Sequence, residues 1–241
     1  YGGAGVDVSA HGGPQSAYTV ILSPDGTTVE DRRPDGEGID TLSGIETLAF
    51  ADGDWRLELF SGAGALSEEA FRSFVEFYIA YFDRGPDAEG LMFWATAFAD
   101  GFTLEQMAAD WLTQPEYAAT YPPILSNADF ARAVYDNVLG RAPDQEGFDF
   151  WVGLLDDGTI GRDVFILEVL RGAKAPAPKH ASEAFKDQKA DDVAYLSAKT
   201  DIGIHYAVTK GLSDVADARA AMELFDGSAA SVTEARTAID Q

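Results

Sequence analysis

The side chains available for chemistry in this 241-residue chain are mostly carboxylates, because 41 Asp and Glu residues stand against 17 Lys and Arg residues. Carboxylates bind calcium, and pairs of them perform the acid and base steps of glycoside hydrolysis. Acidic pairs such as Glu68-Glu69 and Asp156-Asp157 arise by chance at this density, so no pair can be singled out for sugar chemistry.

The formal net charge of −24 limits the expected partners. An anionic surface of this strength repels phosphate backbones and anionic lipids, so we expect no nucleic-acid partner and no membrane insertion. The charge suits a cation binder, such as a calcium-binding protein, or a protein of salty water. Simple solubility is the alternative explanation.

Other catalytic constellations are missing from the sequence. It contains no cysteine, which excludes disulfides, thiolate metal sites and cysteine nucleophiles. Its three histidines, His11, His180 and His205, are far apart and form no zinc-binding helix motif. A phosphate-binding glycine loop and a serine nucleophile elbow are also absent. We therefore expect no catalytic residues and predict that the chain is not an enzyme.

One segment has part of the spacing of a calcium-binding loop. Asp83, Gly85 and Asp87 are spaced like positions one, three and five of a helix–loop–helix calcium site. Such a loop also needs a central glycine and a closing bidentate glutamate, where this chain has Ala88 and Trp94. Both requirements fail, so the segment is not a site of that kind.

The same segment belongs to a motif that occurs twice, at a constant offset of 57 residues. Its shared positions are Arg84, Pro86, Asp87, Gly90 and Trp94 in the first copy, and Arg141, Pro143, Asp144, Gly147 and Trp151 in the second. A repeat of this kind is one structural unit used twice. Duplicated helical units usually build scaffolds or binding surfaces.

Each copy of the motif predicts a turn between two helices. The proline ends one helix, the aspartate caps the next, and the arginine binds the last carbonyls of the first helix or that aspartate. The glycine allows close helix approach. We expect the tryptophan to anchor the core between the copies, so that Trp151→Ala would lower stability by about 3–5 kcal/mol. A direct role in ligand binding is the alternative.

The periodicity of the apolar residues predicts the remaining elements. Residues 1–60 alternate as strands do, at Tyr18–Leu22, Thr27–Glu30 and Asp54–Phe60, with a turn at Asp25-Gly26. A hinge is predicted at Ser61–Gly64, and helical spacing begins at Leu66.

Each copy is predicted to contain three helices, and a proline-rich linker follows at Lys174–Lys179. Three more helices are predicted at about 181–198, at 202–225 with a break near Gly211, and at 228–240. The predicted fold class is α+β, with a small N-terminal β segment followed by a mostly α-helical domain that carries a duplicated three-helix unit.

The duplicated motif, with Tyr135–Arg141 leading into its second copy, resembles the helical domain-of-unknown-function family 4214. The resemblance covers roughly residues 66–175, and the tail to 225 fits the same proteins. That family occurs in large bacterial secreted and surface proteins and is distantly similar to phycobilisome linker domains. The resemblance implies a cellular context rather than an activity.

The N-terminus carries a second resemblance. Gly2–Asp7 is similar to the start of the calcium-binding nonapeptide repeat of hemolysin-type (RTX-like) exported proteins, although Ser9 stands at its large apolar position. Residues 35–53 resemble the segment that closes such a β-roll. The resemblance implies calcium as a cofactor, bound by aspartate carboxylates and backbone carbonyls between successive turns; a metal-free β cap is the alternative. The matching ligand positions are Asp7, Gly3, Gly5 and, as a weaker candidate, Asp40.

Together the resemblances imply export by a type I secretion system and a secreted or cell-surface location. They predict a β-roll end at 1–60, the duplicated helical domain at 61–175, and a C-terminal helical region with a type I secretion signal at 176–241. Because the chain begins at Tyr1 rather than Met, we expect a fragment or a processed product.

The expected function is a non-catalytic C-terminal module of a secreted calcium-binding protein, with a scaffold, adhesion or surface-layer role. Its expected partners are a cell-surface glycan or another surface protein. One alternative is a secretion and folding appendage of an extracellular hydrolase, a protease or glycan-active enzyme whose catalytic domain lies upstream. A third interpretation makes the helical part itself a polysaccharide-active enzyme.

Overall fold

The computed structural model describes residues 1–23 and 26–241, and its N-terminal part holds two small sheets. The strands are β1 (Val8–Ala10), β2 (Tyr18–Ser23), β3 (Gly26–Asp31), β4 (Ile39–Leu42), β5 (Thr47–Phe50) and β6 (Gly53–Arg56). In one sheet β5 pairs in parallel with β1 and antiparallel with β6, whereas β2, β3 and β4 form an antiparallel sheet. The strands predicted at Tyr18–Leu22 and Thr27–Glu30 are confirmed. Asp25 of the predicted turn lies outside the described residues.

The strand predicted over Asp54–Phe60 is confirmed only for residues 54–56, which lie in β6, and the hinge predicted at Ser61–Gly64 is wrong. The chain leaves β6 at Arg56 and forms a 3-10 helix over Leu57–Ala65. Phe60 and Ala63 are both buried, and a spacing of three residues places them on one face of a 3-10 helix but not of a strand. Ala63 N also donates to Thr96 Oγ1 over 3.0 Å, which ties this segment to the helical part.

The rest of the chain is helical, and the predicted α+β class is confirmed. The helices are α1 (Glu68–Phe82), α2 (Ala88–Ala99), α3 (Leu104–Trp111), α4 (Pro115–Thr120), α5 (Asn127–Leu139), α6 (Gln145–Asp156), α7 (Arg162–Lys174), α8 (Glu183–Ile204), α9 (Val215–Glu223) and α10 (Ala229–Ile239). Across residues 1–23 and 26–241, no helix combines the length and the apolar character that crossing a membrane requires.

The two copies share one helix order, α1-α2-α3 and α5-α6-α7. Asp87 and Asp144 cap α2 and α6 by accepting hydrogen bonds from Gly90 N and Gly147 N, over 2.7 and 2.8 Å. The first copy is followed by the short helix α4, which the sequence analysis did not predict. The boundaries at 60/61 and 175/176 stay predictions.

The C-terminal prediction needs a correction. The predicted break near residue 198 is absent, since α8 runs on to Ile204 and ends in a π-helical turn over His205–Thr209. The region predicted as helix over 202–225 with a break near Gly211 consists of that turn, a loop at 210–214 that contains Gly211, and α9, so the predicted break is confirmed. Leu196 and Ile202 are buried, so the apolar face of α8 continues through the predicted break.

The loop before α9 joins the C-terminal region to the β segment. Gly211 accepts a hydrogen bond from Val20 N over 3.2 Å, and Leu212 O accepts one from Ala88 N over 2.8 Å. Gly211 has a φ of +59°, and a Cβ there would overlap the backbone carbonyl of Val20. Only glycine fits this close crossing of two backbones.

We expect Gly211→Ala to destabilise the protein more than Gly158→Ala. Both substitutions place a Cβ on a left-handed residue, which costs about 1–2 kcal/mol. Gly158 has a φ of +74° with open space around its Cβ position, so only Gly211→Ala adds a clash. Urea unfolding of both variants measures the difference, and equal losses would show that the crossing at Val20 is loose.

Candidate functional site

The predicted calcium ligands lie in two places. Asp7 is half-buried just before β1, and its Oδ2 accepts a hydrogen bond from Gly3 N over 2.7 Å. Gly5 is exposed in the same turn. Asp40 is exposed on β4, in the other sheet. The structure therefore groups Asp7 with Gly3 and Gly5 and leaves Asp40 apart.

A second carboxylate lies beside Asp7. Asp7 N donates to Glu46 Oε2 over 2.8 Å, and Asp7 O accepts from Glu46 N and Thr47 N. Calcium takes six to eight oxygen ligands. Within the described ranges, no group of three or more His, Asp or Glu side chains is arranged to hold a metal ion. The carboxylate oxygens of Asp7 and Glu46 are of the kind that calcium prefers, but two carboxylates supply fewer oxygens than a complete calcium site needs.

In the first copy of the motif, the buried Arg84 donates hydrogen bonds to several groups around the turn. Its Nε and Nη2 donate to Glu116 on α4 over 2.5 and 3.0 Å. Its Nη1 donates to Gly85 O over 2.8 Å and to Asp87 Oδ2 over 3.2 Å. The Tyr78 hydroxyl donates to the same Asp87 oxygen over 3.0 Å. The arginine thus holds the turn after Pro86 and links it to α4.

In the second copy, Arg141 keeps half of these contacts. Its Nη1 donates to Ala142 O over 3.1 Å, which repeats the bond from Arg84 to Gly85. Its Nε and Nη2 instead make a two-pronged bond to Asp192 on α8, over 2.6 and 2.8 Å. The turn after Pro143 is therefore tied to α8, and the second copy lacks the contact between arginine and its own capping aspartate.

The motif tryptophans do not anchor the core between the copies, as the sequence analysis expected. Trp94 and Trp151 are only partly buried, and each packs inside its own copy. The Trp151 ring lies 5.7 Å from Phe165 on α7, and the Trp94 ring lies 5.6 Å from Trp111 on α3. The central ring of the core is the fully buried Trp111.

Trp111 fills the space beneath the first motif. Its ring centroid lies 4.8 Å from that of Phe82, 5.1 Å from that of Tyr78 and 5.6 Å from that of Trp94. Its buried indole N–H has no hydrogen-bond partner within the described part of the chain, so its surroundings are apolar. The first motif is closed by a side chain of its own copy.

The second copy has no ring at this point. One extra residue lies between α6 and α7, so the N-caps Thr103 and Gly161 are 58 residues apart rather than 57. Trp111 then corresponds to Val169. The residues that match its neighbours at the motif offset, Tyr135, Leu139 and Trp151, all border an open cleft together with Val169. Where the first copy has the large indole of Trp111, the second copy has the smaller Val169, and the space that an indole would fill is open.

This second-copy cleft has a volume of about 670 Å³, within the range of small-molecule sites. It lies between the start of α6, the last turns of α7 and the start of α8. Phe185 and Gln188 of α8 complete its wall, and Phe185 is exposed. Its lining is mostly apolar and also includes six charged side chains: Arg141, Asp144, Glu146, Glu168, Lys189 and Asp192.

The polar groups of the cleft make fewer hydrogen bonds than the matching groups of the first copy. Among the described residues, Asp144 accepts a hydrogen bond from Gly147 N alone, whereas Asp87 also accepts from Tyr78 and Arg84. Burial raises the pKa of the Tyr135 hydroxyl, and the positive charge of Arg141 opposes that rise. One carboxylate oxygen of Asp144 therefore remains free to accept a hydrogen bond within the described part of the chain, and Asp144 and Tyr135 both line the cleft.

The buried Lys199 is structural. Its Nζ donates to Asn137 Oδ1, Asn137 O and Asp83 Oδ1 over 2.7, 2.9 and 3.1 Å. Burial lowers the pKa of this amine. Asp83 ends α1 in the left-handed conformation, with a φ of 47°, where the second copy has Gly140. Lys199 holds this non-glycine residue in place, and its three donors are all used.

Sequence reasoning missed the cleft and its α8 wall. The signal for the cleft lay in the third helices, because aligning their N-caps sets Trp111 against Val169. No local signal marks Phe185 and Gln188, since they reach the cleft only through the packing of α8 onto α5 and α7. Both aspartate caps are present as predicted, but the predicted contact between the arginine and its own aspartate forms only in the first copy, and Trp94 and Trp151 are not brought together.

Neither the curated proteins nor the solved structures that were compared include a match to this chain. A family model does match residues 108–174, which run from the end of α3 to the end of α7. This range contains the whole second copy and is narrower than the 66–175 expected from the resemblance. Residues 108–174 thus match the family described as a domain of unknown function, DUF4214, and the family named for the helical part is supported.

Proposed function

We propose that this chain is a non-catalytic module of a secreted or cell-surface protein, in which the helical units form a scaffold and the second-copy cleft binds a partner. The observation that carries the proposal is the divergence of the copies: Trp111 closes the first motif, and Val169 leaves the second open. The arginines of both motifs are paired with carboxylates of the same chain, which suits a rigid support. An open cleft in an otherwise closed scaffold is more consistent with binding a partner than with a purely structural role.

The N-terminal segment supports a place at the end of an RTX-like β-roll. The two stretches that resemble a roll lie side by side, because β1 pairs in parallel with β5. Successive turns of a β-roll also run in parallel. Within this proposal Asp7 is the principal calcium ligand, the carbonyls of Gly3 and Gly5 add oxygens, and Glu46 is a neighbouring acceptor.

We expect calcium to raise the melting temperature of the chain and a chelator to reverse the rise. At a free calcium concentration of about 100 times Kd, one site adds about 2.7 kcal/mol to the free energy of unfolding. Asp7→Asn should abolish the response, because it removes the principal carboxylate. Asp40→Asn is the matched control and should keep most of it. A response that Asp7→Asn leaves unchanged would place any bound calcium elsewhere.

Retention on cell-surface material tests the wider proposal. We expect the purified chain, fluorescently labelled, to bind saturably to isolated bacterial surface polysaccharide and to be displaced by unlabelled chain. Incubation with the same material should release no reducing sugar, since the proposed role is binding. Absence of retention on polysaccharide and on intact cells would contradict the proposed function, and release of reducing sugar would indicate an enzyme.

A further inference from the structure

We propose that the second-copy cleft binds a neutral oligosaccharide, whose pyranose rings pack on Trp151 and Phe185 while their hydroxyls bond to Asp144, Tyr135 and Gln188. This inference rests on the proposed function and names the ligand class of that site. A pyranose presents an apolar face of C–H groups and an edge of hydroxyls. The cleft offers the matching combination of aromatic rings and polar groups.

The first copy shows what shape the cleft accepts. There the space between the Tyr78, Phe82 and Trp94 rings holds the flat indole of Trp111. The second copy keeps two of these rings as Tyr135 and Trp151 and leaves the indole position open. A flat, ring-sized group from outside the chain therefore fits where the first copy supplies its own. The volume of about 670 Å³ is large enough for more than one ring.

Charge excludes an anionic ligand. Four carboxylates and two cationic side chains line the cleft, and Arg141 is neutralised by its two-pronged bond to Asp192. Lys189 donates to the backbone carbonyl of Gly172 over 2.5 Å, so its amine is drawn to the end of α7. The remaining acidic groups and the −24 charge of the chain repel phosphate and uronate.

The polar groups select hydroxyls over a purely apolar ring. Asp144 has a free carboxylate oxygen in the described part of the chain, and Gln188 Nε2 donates to Asp192 Oδ1 over 3.1 Å, which leaves its carbonyl oxygen as an acceptor. A site with unused acceptors favours ligands that bring hydrogen-bond donors. A phenyl side chain from a partner would leave these acceptors unpaired, and an indole, with its single N–H donor, could pair with only one of them.

Titration calorimetry on the full 241-residue chain tests this assignment. The probes are maltohexaose, cellohexaose, xylohexaose and chitohexaose, each added separately, with indole and a Trp-containing peptide as competing classes. We expect at least one of the oligosaccharides to bind. Phe185→Ala should weaken that binding about tenfold through the lost ring contact.

Val169→Trp tests the assignment by filling the cleft rather than by removing a side chain from it. It restores the indole that closes the first copy and should abolish binding while keeping the melting temperature. Phe93→Ala is the matched control, because Phe93 is 43 % exposed against 46 % for Phe185 but lies in the first copy. It should bind as the unchanged chain does.

Each outcome decides the assignment. No heat with any oligosaccharide, or heat only with indole or the peptide, overturns it. Oligosaccharide binding that survives both Phe185→Ala and Val169→Trp also overturns it, while the proposed surface-binding function stands on another face. If the chain is retained on surface polysaccharide but no oligosaccharide binds in the cleft, the assignment to the cleft fails and the proposed surface-binding function stands.

Discussion

Trp111→Ala is expected to lower the free energy of unfolding by about 3–5 kcal/mol, near the upper end for large-to-small core substitutions. Trp111 is fully buried and contacts six aromatic rings, among them Tyr78, Phe82 and Trp94. Removing the indole opens a cavity that rigid neighbouring rings cannot fill. The same change at Trp151 should cost clearly less, because that ring already borders an open cleft.

Guanidinium chloride unfolding of the two variants measures this difference. The earlier expectation of about 3–5 kcal/mol for Trp151→Ala rested on a core position that the ring does not occupy. A loss at Trp151 equal to that at Trp111 would mean that the second copy is packed as tightly as the first. It would then contradict the open cleft.

Arg141→Met is expected to destabilise the protein by about 3–5 kcal/mol, because it leaves the Asp192 carboxylate buried without its cation. The Asp192 side chain is 4 % exposed, and it would keep only the bond from Gln188. Arg84→Met should cost less, although Arg84 is more deeply buried. Its partner Glu116 is 30 % exposed and retains Arg219 at 3.2 Å. The carboxylate left behind, rather than the burial of the arginine, determines the loss.

A double-mutant cycle separates this cause from lost packing. Adding Asp192→Leu to Arg141→Met removes the stranded carboxylate, so the double variant should recover most of the stability. If the double variant is as unstable as Arg141→Met, the loss comes from packing around the guanidinium stem instead.

Local chemistry made the helical units predictable. Asp87 and Asp144 cap α2 and α6 as predicted, an effect that depends on residues within one turn. The preceding helices end before the prolines, at the left-handed residues Asp83 and Gly140. The constant offset between the two motifs predicted that the two copies are equivalent structural units. Short-range rules were sufficient for these elements.

Long-range partners were not predictable from the same rules. Arg84 pairs with a residue 32 positions away and Arg141 with one 51 positions away, so identical motif arginines tie their turns to different helices. The predicted hinge became a packed 3-10 helix because Ala63 meets Thr96. The break predicted near Gly211 is present, but the backbone of Val20, against which Gly211 packs, could not be predicted from the sequence. These choices depend on tertiary contacts that a periodicity in the sequence does not encode.

The cleft could be predicted from the sequence only in part. A comparison of the third helices sets Trp111 against Val169, which indicates lost volume in the second copy. That comparison cannot show whether α8 fills the space. The structure places Phe185 at the edge of the cleft and exposed, so the space is bordered but not filled.

The most direct test of the account follows the indole N–H signals of the four tryptophans, Trp55, Trp94, Trp111 and Trp151, by NMR of the ¹⁵N-labelled chain. On titration with an oligosaccharide that binds, the Trp151 signal should move, while Trp94 at the equivalent position of the closed copy and the buried Trp111 stay fixed. Equal shifts at Trp94 and Trp151, or a shift at Trp94 alone, would contradict the claim that only the second copy is open to a ligand.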